Sequence, residues 1–324
     1  MIRTGVVGLG LIGIKRIEAL PKELELVGVF DIEPEKSLKI SKHYSTKSFT
    51  SIELLCEQVG AGGLLIVATN HKSLSRVAKI AIHKEINVLV EKPGAINAME
   101  LKEIIRDAAI KNVKLRVGYN HRFHPGILAA YHEVRSQKYG QIQFIRARYG
   151  HGGRPGYERE WRANREISGG GELIDQGSHL LDLTQFLAGK TSLLFSDTPK
   201  IYWDMEVEDN AILYGNLEEN GKFLLHASWT EWKNLFSFEI FLKTAKIEVS
   251  GLGGSYGDET ITIHHMESGL GIPTRKSQVF AESDASWNLE LNDVVSAIRG
   301  YASIGADGTD ALETLNKISS AYRL

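Results

Sequence analysis

Val6-Val7-Gly8-Leu9-Gly10-Leu11-Ile12-Gly13-Ile14-Lys15-Arg16 is the stretch that decides the fold. The apolar run Thr4–Gly8 reads as a strand and Leu11–Leu20 has helical period, with three glycines in the turn between them. A bare GxGxxG pattern is weak evidence, but between a strand and a helix each glycine has a task. Gly8 permits the tight turn, Gly10 lets backbone approach a pyrophosphate, and Gly13 lets the helix pack closely on the strand. The N–H groups of Leu11 and Ile12, at the helix start, then face the anion. Outward from this turn, a second strand candidate, Leu24–Asp31, ends on an acid 18 positions after Gly13. A carboxylate there accepts hydrogen bonds from both ribose hydroxyls and repels a 2′-phosphate, so NAD is expected in preference to NADP. The alternative is a plain turn with Asp31 capping a helix before Pro34.

Further strand candidates, Gly63–Ala68, Asn87–Glu91 and Leu115–Tyr119, alternate with helical stretches at Ser73–His83 and Ala98–Asn112. That alternation predicts an α/β domain with a doubly wound parallel sheet over residues 1–120. From 121 the pattern changes. Helices are expected near 125–138 and 171–188, and strand-like runs follow at Gln141–Tyr149, Ala211–Asn216, Lys222–Trp232 and Phe236–Leu242. In the last of these Phe236, Phe238, Ile240 and Leu242 alternate with other residues, as in a sheet with one covered face. A second α/β domain, 121–324, with a large, mainly antiparallel open sheet is therefore expected. The helical stretches at Trp287–Arg299 and from Asp310 are candidates to pack back on the first domain.

Composition narrows the function classes. With 38 basic and 40 acidic residues, the chain lacks the basic excess of a nucleic-acid binder. Its one cysteine, Cys56, cannot form an internal disulfide, which fits a reducing, cytoplasmic setting. No run approaches the roughly 18 apolar residues of a membrane span. Glycine is over-represented, at 32 residues, and gathers at 8–13, 150–156, 169–177 and 251–257. The first three clusters are read as places where backbone approaches a ligand; the fourth has no role beyond a turn.

Two later stretches carry chemistry. Glu91-Lys92-Pro93 closes a strand, and the residue before proline is held extended, so Lys92 stands at the carboxyl edge of the sheet where ligands of open α/β sheets bind. Taken alone, such a lysine is more often a solvated turn residue. In Gly169-Gly170-Gly171-Glu172-Leu173-Ile174-Asp175-Gln176-Gly177-Ser178-His179, Asp175 and His179 are four apart and Asp182 follows three later, on one helical stripe. A lone histidine there reads as a satisfied core residue. Paired with Asp175, it reads as a general acid/base whose tautomer the carboxylate sets. Asp-x3-His lacks a local third ligand for zinc, and no metal is expected.

These motifs occur in a familiar order: GLGLIG, Asp31, ATNHKSL at 68–74, EKPG at 91–94, GYNHRFHPG at 118–126 and GGGELIDQGSHLLDL at 169–183. In this the chain resembles the glucose-fructose oxidoreductase/inositol dehydrogenase/MocA family of NAD(P)-dependent sugar oxidoreductases. The resemblance implies a Rossmann domain followed by an α/β domain on an open antiparallel sheet, and association into homodimers or homotetramers. It makes Lys92, often followed by a cis proline, the active-site lysine, and Asp175 and His179 the substrate-facing pair. It adds Glu91 and Arg162 to the cofactor contacts, together with the loop Thr69-Asn70-His71. That loop lacks the family's usual proline, which leaves open whether Asn70 or His71 makes the contact.

The implied reaction is hydride transfer between a secondary alcohol of a sugar and the nicotinamide, with His179 taking the hydroxyl proton and Lys92 stabilising the alkoxide. Segment 149–166 carries Arg154, Tyr157, Trp161 and Arg162, a set suited to an anionic sugar such as a nucleotide sugar or a uronate. Against this, Glu158, Glu160 and Glu166 can pair with the arginines of a solvated loop. Asn120 and Arg122 follow the last strand of the first domain and are also expected to face the substrate. Two other classes share the scaffold: NAD-dependent glycosidases that oxidise transiently, and dinucleotide-binding sensors without turnover.

Overall fold

The computed structural model describes residues 1–281 and 284–323. The chain opens with β1 (Ile2–Val7), α1 (Leu11–Glu18), β2 (Leu24–Phe30), α2 (Pro34–His43), α3 (Ile52–Val59), β3 (Leu64–Val67), α4 (His71–His83), β4 (Asn87–Glu91), α5 (Ala98–Ile110) and β5 (Leu115–Gly118). All five strands are parallel, in the order β2-β1-β3-β4-β5. Beyond β2, Val29 bridges in parallel to Ser48, the remnant of a further edge strand. β3 and β4 are buried along their full length, as a sheet covered by helices on both faces requires, which is why they read as unbroken apolar runs. The expected strands lie within two residues of those observed. α2 is absent from the sequence reading because it is a polar helix that buries only Ser37, Ile40 and Ser41. α3 buries Ile52, Leu55, Cys56 and Val59 at helical spacing and is capped by the Ser51 hydroxyl on the Leu54 N–H.

After these come α6 (Pro125–Arg135), β6 (Ile142–Gly150), α7 (Arg165–Ser168), α8 (Ser178–Ala188), β7 (Thr191–Asp197), β8 (Asn210–Leu217), β9 (Lys222–Ser228), β10 (Leu235–Leu242), β11 (Ala245–Ser250), β12 (Glu259–His265), β13 (Thr274–Phe280), α9 (Ser286–Ile298) and α10 (Gly308–Ala321). Two compact units result. The first comprises Met1–Asn120, Glu166–Gly169 and Trp287–Glu313; the second, His121–Arg165, Gly170–Ser286 and Thr314–Leu324. In the first, α9 lays Leu291, Val294 and Val295 in the core with Val6, Val29 and Ile66 of the parallel sheet.

The second unit is built on eight strands ordered β13-β12-β11-β10-β6-β9-β8-β7, with β6 and β9 the one parallel pair. Register aligns one row of side chains across the sheet: Leu213, Leu225, Ala147, Phe238, Val249 and Ile261, all at most 5% exposed. α6 and α8 contact strands of this sheet, α6 at β11 and β12 and α8 at β6, β7 and β9. The row one residue along each strand points the other way: Phe195, Tyr214, Leu224, Arg146, Glu239 and Glu248. There Arg146 holds Glu239 with two prongs, at 2.5 and 2.9 Å. The period of two in Phe236–Leu242 is thus the two-sidedness of this sheet, and its four alternate apolar residues are all buried.

Candidate active site

In the first unit, β1 runs into the glycine turn. Gly8 has φ +88, and a Cβ there would crowd the Ala68 carbonyl; one on Gly13 would overlap the Gly8 carbonyl. A Cβ on Gly10 would meet nothing within 4 Å, so the space over that residue is open to a ligand. Gly10 is the N-cap of α1 without a side-chain cap, which leaves N–H groups of the first turn for an anion. Asp31 closes the cradle. Its Oδ2 accepts the Leu9 N–H at 2.6 Å and its Oδ1 the Glu33 N–H at 3.0 Å. A carboxylate has about four acceptor sites, so lone pairs remain for ribose hydroxyls. These residues fit a dinucleotide.

Other expected cofactor residues divide. His71 is buried, and its Nδ1 lies 2.7 Å from the Ser168 carbonyl, to which it donates. Asn70 caps α4 only through its backbone and is exposed. Thr69 is half-buried, its hydroxyl on the Asn70 carbonyl. Lys92 is half-buried and is joined to Pro93 by a cis peptide bond. Glu91 is engaged within the first unit: its carboxylate accepts from Arg16 Nε at 2.7 Å, and the same guanidinium reaches Glu290 at 2.5 Å. Arg16 is fully buried beneath the Trp287 ring. One guanidinium thus serves two carboxylates, and burial pushes Glu290 up to about 7 despite the attraction of Arg16.

In the second unit, Leu173–Gly177 forms a π-turn that leads into α8, a widened turn frequent at functional sites. Asp175 lies on this turn, with Arg162 Nε 3.2 Å from its Oδ2. The Arg162 guanidinium also covers the Trp161 ring, 4.5 Å from its centroid. His179 begins α8, is 5% exposed, and stacks on His121 with ring centroids 3.8 Å apart. The expected stripe is therefore split by task. Asp182 is fully buried and grips Arg122, Nε to Oδ2 at 2.8 Å and Nη2 to Oδ1 at 2.6 Å.

That grip corrects one expectation: Arg122 is committed to a buried ion pair rather than held out for a substrate. Tyr157 is corrected likewise. It is 2% exposed and packs edge-on against Trp229, with Trp203 and His151 beside it, so it is core to its loop. Arg154 pairs with Glu160 and Arg159 with Glu158, as an exposed loop permits. Asn120 is buried where β5 gives way to a short 3-10 turn. The glycines at 170 and 171 do not approach a ligand either. A side chain on Gly170 would strike the Tyr322 hydroxyl, and one on Gly171 the Glu208 carbonyl. Glu208 accepts the N–H groups of Gly171 and Leu173 and the Tyr322 hydroxyl at 2.7 to 3.2 Å, anchoring the start of the π-turn. Sequence reasoning passed over Glu208 and Tyr322, because nothing local distinguishes them. His121 and His124, three apart, make different contacts: His121 Nε2 lies 3.1 Å from the Tyr149 hydroxyl and His124 Nδ1 3.0 Å from Glu259. Among the described residues no group of three or more His, Cys, Asp or Glu side chains is placed to hold a metal ion.

Residues 2–119 match the model of the oxidoreductase family with an NAD-binding Rossmann fold, and residues 127–255 match the GFO/IDH/MocA C-terminal domain. The chain belongs to the GFO/IDH/MocA family. Its parallel sheet is the family's NAD-binding Rossmann fold, and six strands of its second sheet, β6 to β11, lie in the part that matches the C-terminal domain. Among curated relatives, a glucose-6-phosphate 3-dehydrogenase of Bacillus subtilis is 28% identical over 232 residues, 67% of this chain and 65% of that protein. A UDP-N-acetylglucosamine 3-dehydrogenase of Acidithiobacillus ferrooxidans is 26% identical over 146 residues, 45% of this chain and 44% of that one. Both alignments span less than two thirds of the relative. Similarity in fold extends further. The WlbA dehydrogenase from Bordetella pertussis, in complex with NADH and UDP-GlcNAcA, superposes with a TM-score of 0.81 at 21% identity over 99% of this chain and 95% of that one. A putative NADPH-dependent oxidoreductase from Desulfitobacterium hafniense gives 0.87 at 19% identity over 99% and 94%.

Proposed function

We propose that this GFO/IDH/MocA protein is an NAD-dependent dehydrogenase acting on a secondary alcohol of an anionic sugar derivative, a nucleotide sugar, sugar phosphate or uronate. The observation that carries the reading is the buried His179 beside an ion-paired Asp175 in a chain whose other unit cradles a dinucleotide. Bound NAD supplies the hydride acceptor. In the turn that Gly8 and Gly13 make possible, Gly10 and the N–H groups of Leu11 and Ile12 hold the pyrophosphate, Asp31 holds the adenosine ribose, and Asn70, with Thr69, completes the cradle, since His71 is tied to Ser168. His179 takes the hydroxyl proton as the alcohol becomes a carbonyl. Lys92 stabilises oxygen charge as it develops, and Asp175 orients the substrate with Arg162.

Two of the curated relatives act on UDP-N-acetylglucosamine and on glucose 6-phosphate, both anionic sugars, by their names. The exposed Arg154–Glu160 pair is compatible with such a substrate. A surface pair of this kind contributes about 0–1 kcal/mol, so a phosphate can displace the glutamate. The apolar end of the outward row on the second sheet, Phe195, Tyr214 and Leu224, is the face on which this chain forms a homo-oligomer. A cytoplasmic setting accords with Cys56, which is buried with its thiol pushed up to about 11.

The test is turnover of a panel of free sugars, sugar phosphates and nucleotide sugars with NAD, followed by reduced-nicotinamide absorbance. Net reduction with an anionic sugar supports the proposal, and preference for a neutral sugar defeats the anionic assignment. Product without net reduction marks a glycosidase, and NAD binding without any product marks a sensor. His179→Ala and Lys92→Ala are each expected to lower kcat about 10²- to 10⁴-fold.

A further inference from the structure

The glycine turn between β11 and β12 has no part in the chemistry above. Gly251, Gly253, Gly254 and Gly257 all have φ between +54 and +84, a path open chiefly to glycine. The turn they form brings Tyr256 back to the π-turn. Gln176 Nε2 donates to the Tyr256 hydroxyl at 3.2 Å, and Tyr256 is hydrogen-bonded to Tyr149. The Tyr149 hydroxyl lies 3.1 Å from His121 Nε2, and the His121 ring is the one stacked on His179. Tyr149, His121 and His179 are buried, while Gly254, Ser255 and Gly257 around Tyr256 are exposed.

We infer that Tyr256 is a positioning residue for His179, acting through Tyr149 and His121. The inference rests on the reading of His179 as the base and deepens it. A stacked ring is placed no better than the ring it rests on, and a hydrogen bond at a ring nitrogen fixes the orientation and tautomer of that ring, here His121. An amide nitrogen only donates, and the Tyr149–Tyr256 contact raises Tyr149 and lowers Tyr256, so both Gln176 and Tyr149 donate to the Tyr256 oxygen and the Tyr149 oxygen is left to accept from His121 Nε2. It keeps a proton on His121 Nε2. Burial raises Tyr149 well above the usual phenol range, so its hydroxyl stays a donor.

Tyr256→Phe, Tyr149→Phe and the double variant test this in the full chain with NAD and the best substrate of the panel. Each single change should lower kcat about three- to tenfold, the equivalent of one neutral hydrogen bond, with KM and NAD affinity unchanged. The double variant should be no slower than Tyr149→Phe, because both cut one path. Wild-type kcat in Tyr256→Phe, or losses that multiply in the double variant, would overturn the inference. A second arm needs no turnover: nitrogen NMR of the histidine rings in the NAD-free protein. Tyr256→Phe should move the His121 ring signals toward mixed tautomers, and unchanged spectra overturn the inference. If the signals move but the wild type oxidises no sugar, the ring coupling stands and the proposed reaction falls.

Discussion

Arg122 and Asp182 form a two-pronged ion pair away from water, and such a pair depends on both partners. Arg122→Ala leaves Asp182 as an uncompensated buried charge and is expected to cost about 3–5 kcal/mol, read from urea unfolding midpoints. Arg122→Met with Asp182→Leu should recover most of that loss, since an apolar pair of similar volume needs no counter-charge. Asp31 is the residue on which cofactor choice turns. Asp31→Asn keeps an acceptor for the Leu9 N–H but removes the charge that repels a 2′-phosphate. We expect NAD to bind about tenfold more weakly, for a lost charged hydrogen bond, and NADP to bind more tightly than to the wild type, by fluorescence titration. Positions 31, 92, 175 and 179 could be singled out because each comes with a local frame of glycine, proline or spacing. The work of Arg122 and Tyr157 was not legible: burial decides whether a charged or aromatic side chain meets a ligand or a neighbour, and burial is not a local property.

At the scale of elements, Arg16 on α1, Glu91 at the end of β4 and Glu290 on α9 meet at one buried guanidinium. The contact ties the helix of the dinucleotide turn to the strand that ends in Lys92. Glu290 is raised from 4.5 to about 7, so the stability it contributes is present below about pH 4.5 and is lost as pH rises through about 7. Glu290→Gln lacks that titration. Relative to wild type, its unfolding free energy should therefore improve between about pH 5 and about pH 8, as measured by denaturant titration at each pH. The glycines before α8 show the same dependence on distant partners. Gly171→Val is expected to unfold the protein or to displace Glu208 and the π-turn, with a lowered Tm. The alternation of strand and helix in the first 120 residues was readable from apolar runs, and the two-sided sheet from its period of two. The partners that lock α1, α8 and α9 were not, because Glu91, Glu208 and Tyr322 lie tens to hundreds of residues from what they hold.

For the molecule as a whole, the eight-stranded sheet presents an outward row that is apolar at one end and charged at the other. Burial of Phe195 and Leu224 in a homo-oligomer follows from the proposed association. Phe195→Lys with Leu224→Lys should lower the sedimentation coefficient to that of a monomer, and a monomeric wild type would rule the association out. By itself, the sequence determined the parallel sheet, the glycine turn and its acid, the lysine at a strand end and the acid–histidine pair, because each is written in short-range spacing that backbone geometry reads directly. Only the tertiary structure decided which glycines face protein, that Arg122 is buried and committed, and that the turn at 251–257 reaches Gln176 and Tyr149. Those outcomes depend on which distant side chains fill the space beside each position, and local periodicity does not encode that.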